Sequence, residues 1–177
     1  MSLFTLAEEI RRCTACPLWK SRTLAVAGDG AKDAKVMFIG EAPGEEENRL
    51  GLPFIGKSGK FLDEMLKVAG LKREDCFITG AVKCHPPKSR IPLAKEVKVC
   101  KEKWLNAQIE ALGPKVIVLL GNTAIKSLLG KGKVSELHGQ LIEGKYFVTF
   151  HPAAAMRFSK VKEMMEEDFK KLRNLKK

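Results

Sequence analysis

The chain has 177 residues, 45% of them apolar, and a formal net charge of +11. That length suits one domain with its own core, so we expect residues 1–177 to form a single domain. No apolar run approaches the ~20 residues of a membrane span. Acidic Glu8 and Glu9 interrupt the short apolar N-terminal stretch, which a signal peptide would not tolerate. We therefore expect a cytoplasmic protein without a membrane anchor.

The basic charge favours a polyanionic partner, because Lys and Arg neutralise phosphates when a protein binds nucleic acid. The alternative is a lysine-rich surface that serves solubility or reflects a hot habitat.

The predicted elements alternate between helices and strands from the N-terminus onward. A short helix comes first, and Thr5 and Glu8 have the form of a capping box. The apolar run 36–39 predicts a strand, and 44–57 is a polar, glycine-rich loop. A helix then begins at Ser58 with its apolar face spaced three and four residues apart.

The second half of the chain continues this alternation. We predict strands at 77–79, 116–120 and 146–150, a long helix at 93–112, a short helix capped by Asn122, and a final amphipathic helix. Such alternation predicts a three-layer α/β/α fold with a central, mostly parallel four-stranded sheet.

Unusual residues follow the predicted strand ends. Gly40 opens an acidic turn that reaches Glu47, Gly80 and Gly121 follow the second and third strands, and His151 follows the fourth. Ligands bind beyond the carboxyl ends of the strands in open α/β sheets. These four segments are therefore expected to form one pocket.

Four of the five cysteines have spacings that suit a metal site. Cys13 and Cys16 form a C-x-x-C pair, and Cys84 and Cys100 supply two further thiolates. A reducing cytosol disfavours disulfides, and four thiolates suit either zinc or an iron–sulfur cluster. Four unrelated buried thiols are the alternative. Cys76 begins a strand and is expected to be a core residue.

Four segments resemble motifs of the uracil-DNA glycosylase superfamily, in its iron–sulfur branch, family 4. They are Gly40-Glu41-Ala42-Pro43-Gly44, Pro53-Phe54-Ile55-Gly56-Lys57-Ser58-Gly59, Val82-Lys83-Cys84-His85-Pro86-Pro87 and His151-Pro152-Ala153-Ala154. The cysteine spacing is also close to that of the family's cluster ligands. The resemblance covers nearly the whole chain and favours a structural 4Fe–4S cluster on Cys13, Cys16, Cys84 and Cys100 over zinc.

The resemblance implies roles for residues of the pocket. His151 would donate to an oxygen of the departing base, and Phe54 would stack on the flipped base, beside Gly40. Glu41 and Glu47 would belong to the active-site loop. Ala42 stands where the classical branch has its water-activating aspartate, which excludes general-base catalysis from that position.

DNA contacts are expected on both sides of the pocket. Met156 is placed where the superfamily has an apolar wedge that enters the base stack. Arg157 would meet a phosphate, and Lys83 would lie near the DNA backbone with Lys88 and Arg90.

Gly80 departs from the pattern, because the iron–sulfur branch usually has asparagine there to recognise the polar edge of uracil. Its absence predicts lower activity, lower selectivity, or both. A water could replace the amide, or the vacated space could admit a larger base such as hypoxanthine.

These features predict a monomeric, monofunctional DNA glycosylase that uses water to excise deaminated bases, foremost uracil, from single- or double-stranded DNA. No lysine is clearly placed as a Schiff-base nucleophile. The alternatives are a glycosylase of altered specificity, a catalytically silent nucleic-acid-binding protein and, against the pocket motifs, an electron-transfer protein.

Overall fold

The computed structural model describes residues 1–175, and within them one sheet has six strands in the order β1-β3-β2-β4-β6-β5. The four central strands are parallel, whereas the two edge strands pair antiparallel with their neighbours. The strands are β1 (Asp29–Gly30), β2 (Val36–Gly40), β3 (Phe77–Gly80), β4 (Val116–Leu120), β5 (Leu141–Ile142) and β6 (Tyr146–Thr149). The predicted mostly parallel sheet is confirmed, with two edge strands added.

Helices cover both faces of this sheet. They are α1 (Leu3–Arg11), α2 (Glu45–Leu50), α3 (Lys57–Val68), α4 (Ala94–Cys100), α5 (Asn106–Leu112), α6 (Asn122–Leu129), α7 (Val134–Leu137), α8 (Pro152–Arg157) and α9 (Ser159–Leu175). Along β2, Phe38 packs in the core formed with α3 and α9, whereas Ile39 packs in the core formed with α5 and α6. Alternate residues thus face opposite layers, which confirms the three-layer fold.

The strand register aligns the ends of the central strands. Gly40, the last residue of β2, pairs with Gly80, the last residue of β3. On the other side of β2, β4 pairs in parallel and is itself followed by β6. The segments after these strands therefore emerge at one edge of the sheet.

Four local predictions are wrong. Gly121, not Asn122, is the cap residue of α6. The segment predicted as a loop contains α2, whose first turn has the acids Glu45, Glu46 and Glu47; negative charge there stabilises the positive end of the helix dipole. Ser2 caps α1 in place of Thr5, accepting from the Thr5 N–H at 3.1 Å. The cap residue of α3 is Gly56, which places Ser58 inside the first turn.

The N-terminal segment contributes to a third hydrophobic cluster, separate from the two cores that lie on the faces of the sheet. It packs Leu6, Ile10 and Leu18 against Trp104 and Val82, in the cluster that also contains Cys84 and Cys100. Within the described chain, no helix combines the length and the apolar character that crossing a bilayer requires.

Candidate active site

A pocket of about 140 Å³ opens at the carboxyl edge of the sheet. Pockets for drug-sized ligands hold ~300–1,000 Å³, so this volume suits a single small ring. Its walls come from the ends of β2, β3 and β6 and from the loop before α3. The lining residues are Val26, Ala42, Pro43, Gly44, Glu47, Pro53, Phe54, Ser58, Thr79, Gly80 and His151. Three of the four segments expected to form the pocket thus meet in it, whereas Gly121, after β4, is not among the lining residues.

Phe54 forms the aromatic wall, and two glycines make room for it. Its φ is +49°, a left-handed conformation that is unusual for a bulky residue and occurs where surrounding structure imposes it. A Cβ on Gly40 would lie 2.5 Å from the Phe54 ring, and a Cβ on Gly59 would collide with the Phe54 carbonyl. The ring centroid lies 5.7 Å from that of His151.

Glu47 braces the loop that carries Phe54. Its Oε1 accepts the N–H groups of Ile55 and Gly56, each at 2.9 Å, and the residue is only 8% exposed. A Cβ on Gly44 would lie 2.6 Å from the other carboxylate oxygen, so glycine permits this approach. Glu47 therefore holds the backbone directly after Phe54.

His151 is held as a neutral donor. Its Nδ1 accepts the Ala153 N–H at 3.2 Å at the start of α8, so the proton of the neutral ring lies on Nε2. Burial lowers the pKa of His151, and the carboxylate of Glu41 acts in the opposite direction. At neutral pH the ring therefore presents an uncharged Nε2–H to the pocket, close to Gly40.

Glu41 lies beside His151 but outside the pocket lining. Its Oε2 accepts the hydroxyl of Thr123 in α6 at 2.5 Å, which fixes the carboxylate. Thr123 was not identified from sequence, since the only signal is its place just after the end of β4. Ala42 lines the pocket and offers no acid or base.

Gly80 is enclosed by backbone. A Cβ there would lie 2.8 Å from the Val82 carbonyl oxygen and 3.4 Å from the Glu41 carbonyl oxygen. The turn after β3 is thus packed around a residue without a side chain.

The expectation that Lys83 lies near the DNA backbone is wrong, because the side chain is buried. It is 2% exposed, and its Nζ donates to Thr79 Oγ1 at 2.6 Å and to the Gly80 carbonyl at 2.9 Å. Burial lowers the pKa of Lys83 to about 8, while Cys100 and Cys84 favour its charged form. The sequence did not indicate this inward orientation, because the adjoining prolines and basic residues suggested an exposed loop.

Other basic residues near the pocket differ in availability. Arg90 donates two hydrogen bonds, at 2.9 and 2.8 Å, to the buried carboxylate of Glu96. Its guanidinium is therefore engaged within the protein and is less available to a DNA phosphate. Lys88 is exposed on the same loop, which His85 ties to the pocket through the Pro43 carbonyl at 2.6 Å.

Helix α8 projects apolar and basic residues directly after His151. Met156 is 48% exposed, and Arg157 is exposed beside it. The neighbouring Phe158 is also exposed, which the sequence did not indicate.

The four selected cysteines line a second cavity, on the other side of the Val82–Cys84 segment. Among the described residues, two side-chain N–H donors point at sulfur: Trp104 Nε1 at 3.1 Å from Cys13 Sγ, and Arg22 Nη1 at 3.2 Å from Cys84 Sγ. Burial raises the pKa of the Cys100 thiol to about 11. Cys76 lies apart, in the core under α3.

This donor set fits a thiolate-bound group, because N–H donors to sulfur favour the thiolate and oppose the effect of burial, which raises the pKa of Cys84. Among residues 1–175, no three His, Cys, Asp or Glu side chains come close enough together to hold one metal ion. Four cysteines around one cavity are a donor set that could hold a thiolate-bound metal group.

The fold and pocket agree with the comparison to known families: residues 27–173 match the uracil DNA glycosylase superfamily, and the chain belongs to it. It is 41% identical to the type-4 uracil-DNA glycosylase of Sulfurisphaera tokodaii, over 98% of this chain and 84% of the relative. It is 40% identical to the type-4 enzymes of Saccharolobus solfataricus, over 97% and 85%, and of Thermotoga maritima, over 96% and 92%. The family identified from the motifs is confirmed.

Proposed function

We propose that this chain is a single-domain, monomeric, monofunctional DNA glycosylase that hydrolyses the bond between uracil and deoxyribose in single- or double-stranded DNA in the cytoplasm. The observation that carries the proposal is the pocket, which joins the face of Phe54 to the Nε2–H of His151 in a volume suited to one base. Relatives that cover nearly the whole chain are named for this activity. The assay measures release of free uracil from a labelled oligonucleotide. The strand should break at the resulting abasic site only after treatment with alkali. Strand breakage without alkali would contradict the monofunctional activity.

Departure of uracil places negative charge on the base and positive charge on the sugar. The neutral Nε2–H of His151 is a preorganised donor for the base oxygen, and such a donor is worth roughly 3 kcal/mol of the barrier. Phe54 stacks on the base and holds it against this donor. Glu47 acts one step further away, by keeping Phe54 in its strained conformation.

The carboxylate of Glu41 suits the sugar cation better than the base. It lies outside the lining, near His151, and the Thr123 hydroxyl fixes its orientation. Ala42 supplies no base for the attacking water, so stabilisation of the charged transition state carries more of the rate.

The cysteine cavity suits a 4Fe–4S cluster held by Cys13, Cys16, Cys84 and Cys100. Such a group would be structural here, because these cysteines join the N-terminal segment, the loop after β3 and the end of α4.

The DNA contacts proposed here are Met156 as the wedge, with Arg157 and Lys88 on phosphates. Lys88→Ala is expected to weaken binding to all sequences alike and to reduce the slope of log affinity against log salt by about 1. The matched control is Lys115→Ala, since Lys115 is exposed where β4 begins, at the opposite edge of the sheet. Equal effects of the two substitutions on the slope would contradict this placement.

A glycosylase with relaxed base choice is the second candidate, and Gly80 favours it because no side-chain amide is present at this strand end. Restoring asparagine alone is not expected to restore selectivity, because its Cβ would lie 2.8 Å from the Val82 carbonyl oxygen. We expect Gly80→Asn and Gly80→Ala each to lower stability by about 1–3 kcal/mol and to slow uracil release. Thermal unfolding and single-turnover release test this; faster release by a fully stable Gly80→Asn protein would show that the turn accommodates the side chain.

A further inference from the structure

Lys83 lies between the two cavities of this protein. The residue lines the four-cysteine cavity, while its ammonium contacts Thr79 and Gly80, which line the base pocket. Burial excludes the contact with the DNA backbone that was expected from the sequence, and the mechanism above gives this cation no other role.

A buried ammonium is costly unless it is hydrogen-bonded and its charge is balanced. Both oxygens that accept from Lys83 are neutral. Lys83 directly precedes Cys84 in the chain and lines the same cavity as Cys84 and Cys100. Thiolates that hold the proposed cluster would therefore place negative charge beside this cation.

On the pocket side, Lys83 holds three lining residues at once. Its backbone carbonyl accepts the Val26 N–H at 2.7 Å, and its ammonium binds the Thr79 hydroxyl and the Gly80 carbonyl. The N–H of Ala81, in the same peptide unit as that carbonyl, donates to Gly40 at 3.0 Å. This peptide is fixed at both ends.

We propose that Lys83 is a positioning residue that fixes the floor of the base pocket and joins it to the four-cysteine site. The proposal rests on the proposed function. Because Gly80 has no side chain, the polar character of this wall depends on how its peptide is oriented. Lys83 keeps the Gly80 carbonyl bonded within the protein, so that this acceptor does not oppose the carbonyl oxygens of uracil.

Lys83→Met keeps the length of the side chain and removes its donors and charge. We expect kcat for uracil release to fall roughly 10-fold or more, with a smaller change in KM, because the pocket wall is altered more than DNA binding. Lys83→Gln restores a neutral donor and should recover part of kcat. The matched control is Gln108→Met, which removes a buried bond of 2.7 Å to the Ala27 carbonyl but no contact with Gly80.

A second measurement does not depend on activity. Loss of iron to a chelator should be roughly 10-fold faster in Lys83→Met than in the native protein, since the thiolates lose a neighbouring cation. Lys83→Gln should lose iron as fast as Lys83→Met. Iron loss at the native rate in both variants would overturn the link to the cysteine site, even if the native protein released no uracil.

If Lys83→Met does not fold, Thr79 tests the same contact. Thr79→Val removes an acceptor of Lys83 and should slow uracil release several-fold, whereas Thr79→Ser keeps the hydroxyl and should stay close to native. Native release by Thr79→Val, or by a folded Lys83→Met, would overturn the positioning role. An inactive native protein would instead contradict the proposed function.

Discussion

His151→Ala is expected to lower single-turnover uracil release by on the order of 100-fold while leaving DNA affinity nearly unchanged. The Nε2–H donor gains strength as charge develops on the departing base, so its loss affects the transition state more than the bound state. Because burial lowers the pKa of His151, the neutral donor prevails at pH 7, and the midpoint of any loss of release at acid pH should lie below the ordinary histidine value of about 6.5.

His138→Ala is the control for this experiment. His138 bonds to the carboxylate of Asp168 at 3.1 Å and lies outside the pocket lining, so its removal tests general effects of losing a partly buried histidine. A release rate in His151→Ala equal to that of His138→Ala would remove His151 from the mechanism.

Cys84→Ser is expected to remove the visible colour of the purified protein and to destabilise or unfold it. The cysteines draw three separate chain segments around one cavity, so loss of a ligand weakens the fold as well as the metal site. Absorbance, iron content per chain and thermal unfolding are the measurements.

Cys76→Ser provides the matched control, because Cys76 is a buried cysteine in a different core. It should keep its colour and iron content. A native protein that is colourless and contains one zinc ion would contradict the cluster, as would equal iron content in the two variants.

The sequence was sufficient for the main features of the fold and the pocket. The runs at β2 and β4 are buried on both faces, so apolar residues alone identified them, and parallel topology brought the segments after them together. The edge strands β1 and β5 have two residues each and are too short for a recognisable pattern.

What sequence could not supply is the direction of individual side chains. Lys83 stands in a basic, proline-rich segment, yet its ammonium turns inward to Thr79 and Gly80. Thr123 reaches Glu41 across 82 positions in sequence. The enclosure of Gly80 by the Val82 carbonyl likewise depends on the turn in three dimensions.

The most direct measurement compares single-turnover base release from matched oligonucleotides that carry uracil, hypoxanthine, xanthine or cytosine, as duplex and as single strand. We expect uracil to be released from both forms, cytosine to remain, and any release of hypoxanthine or xanthine to be slower than that of uracil. Binding of all the oligonucleotides without release of any base would contradict the central claim that this pocket is a glycosylase active site.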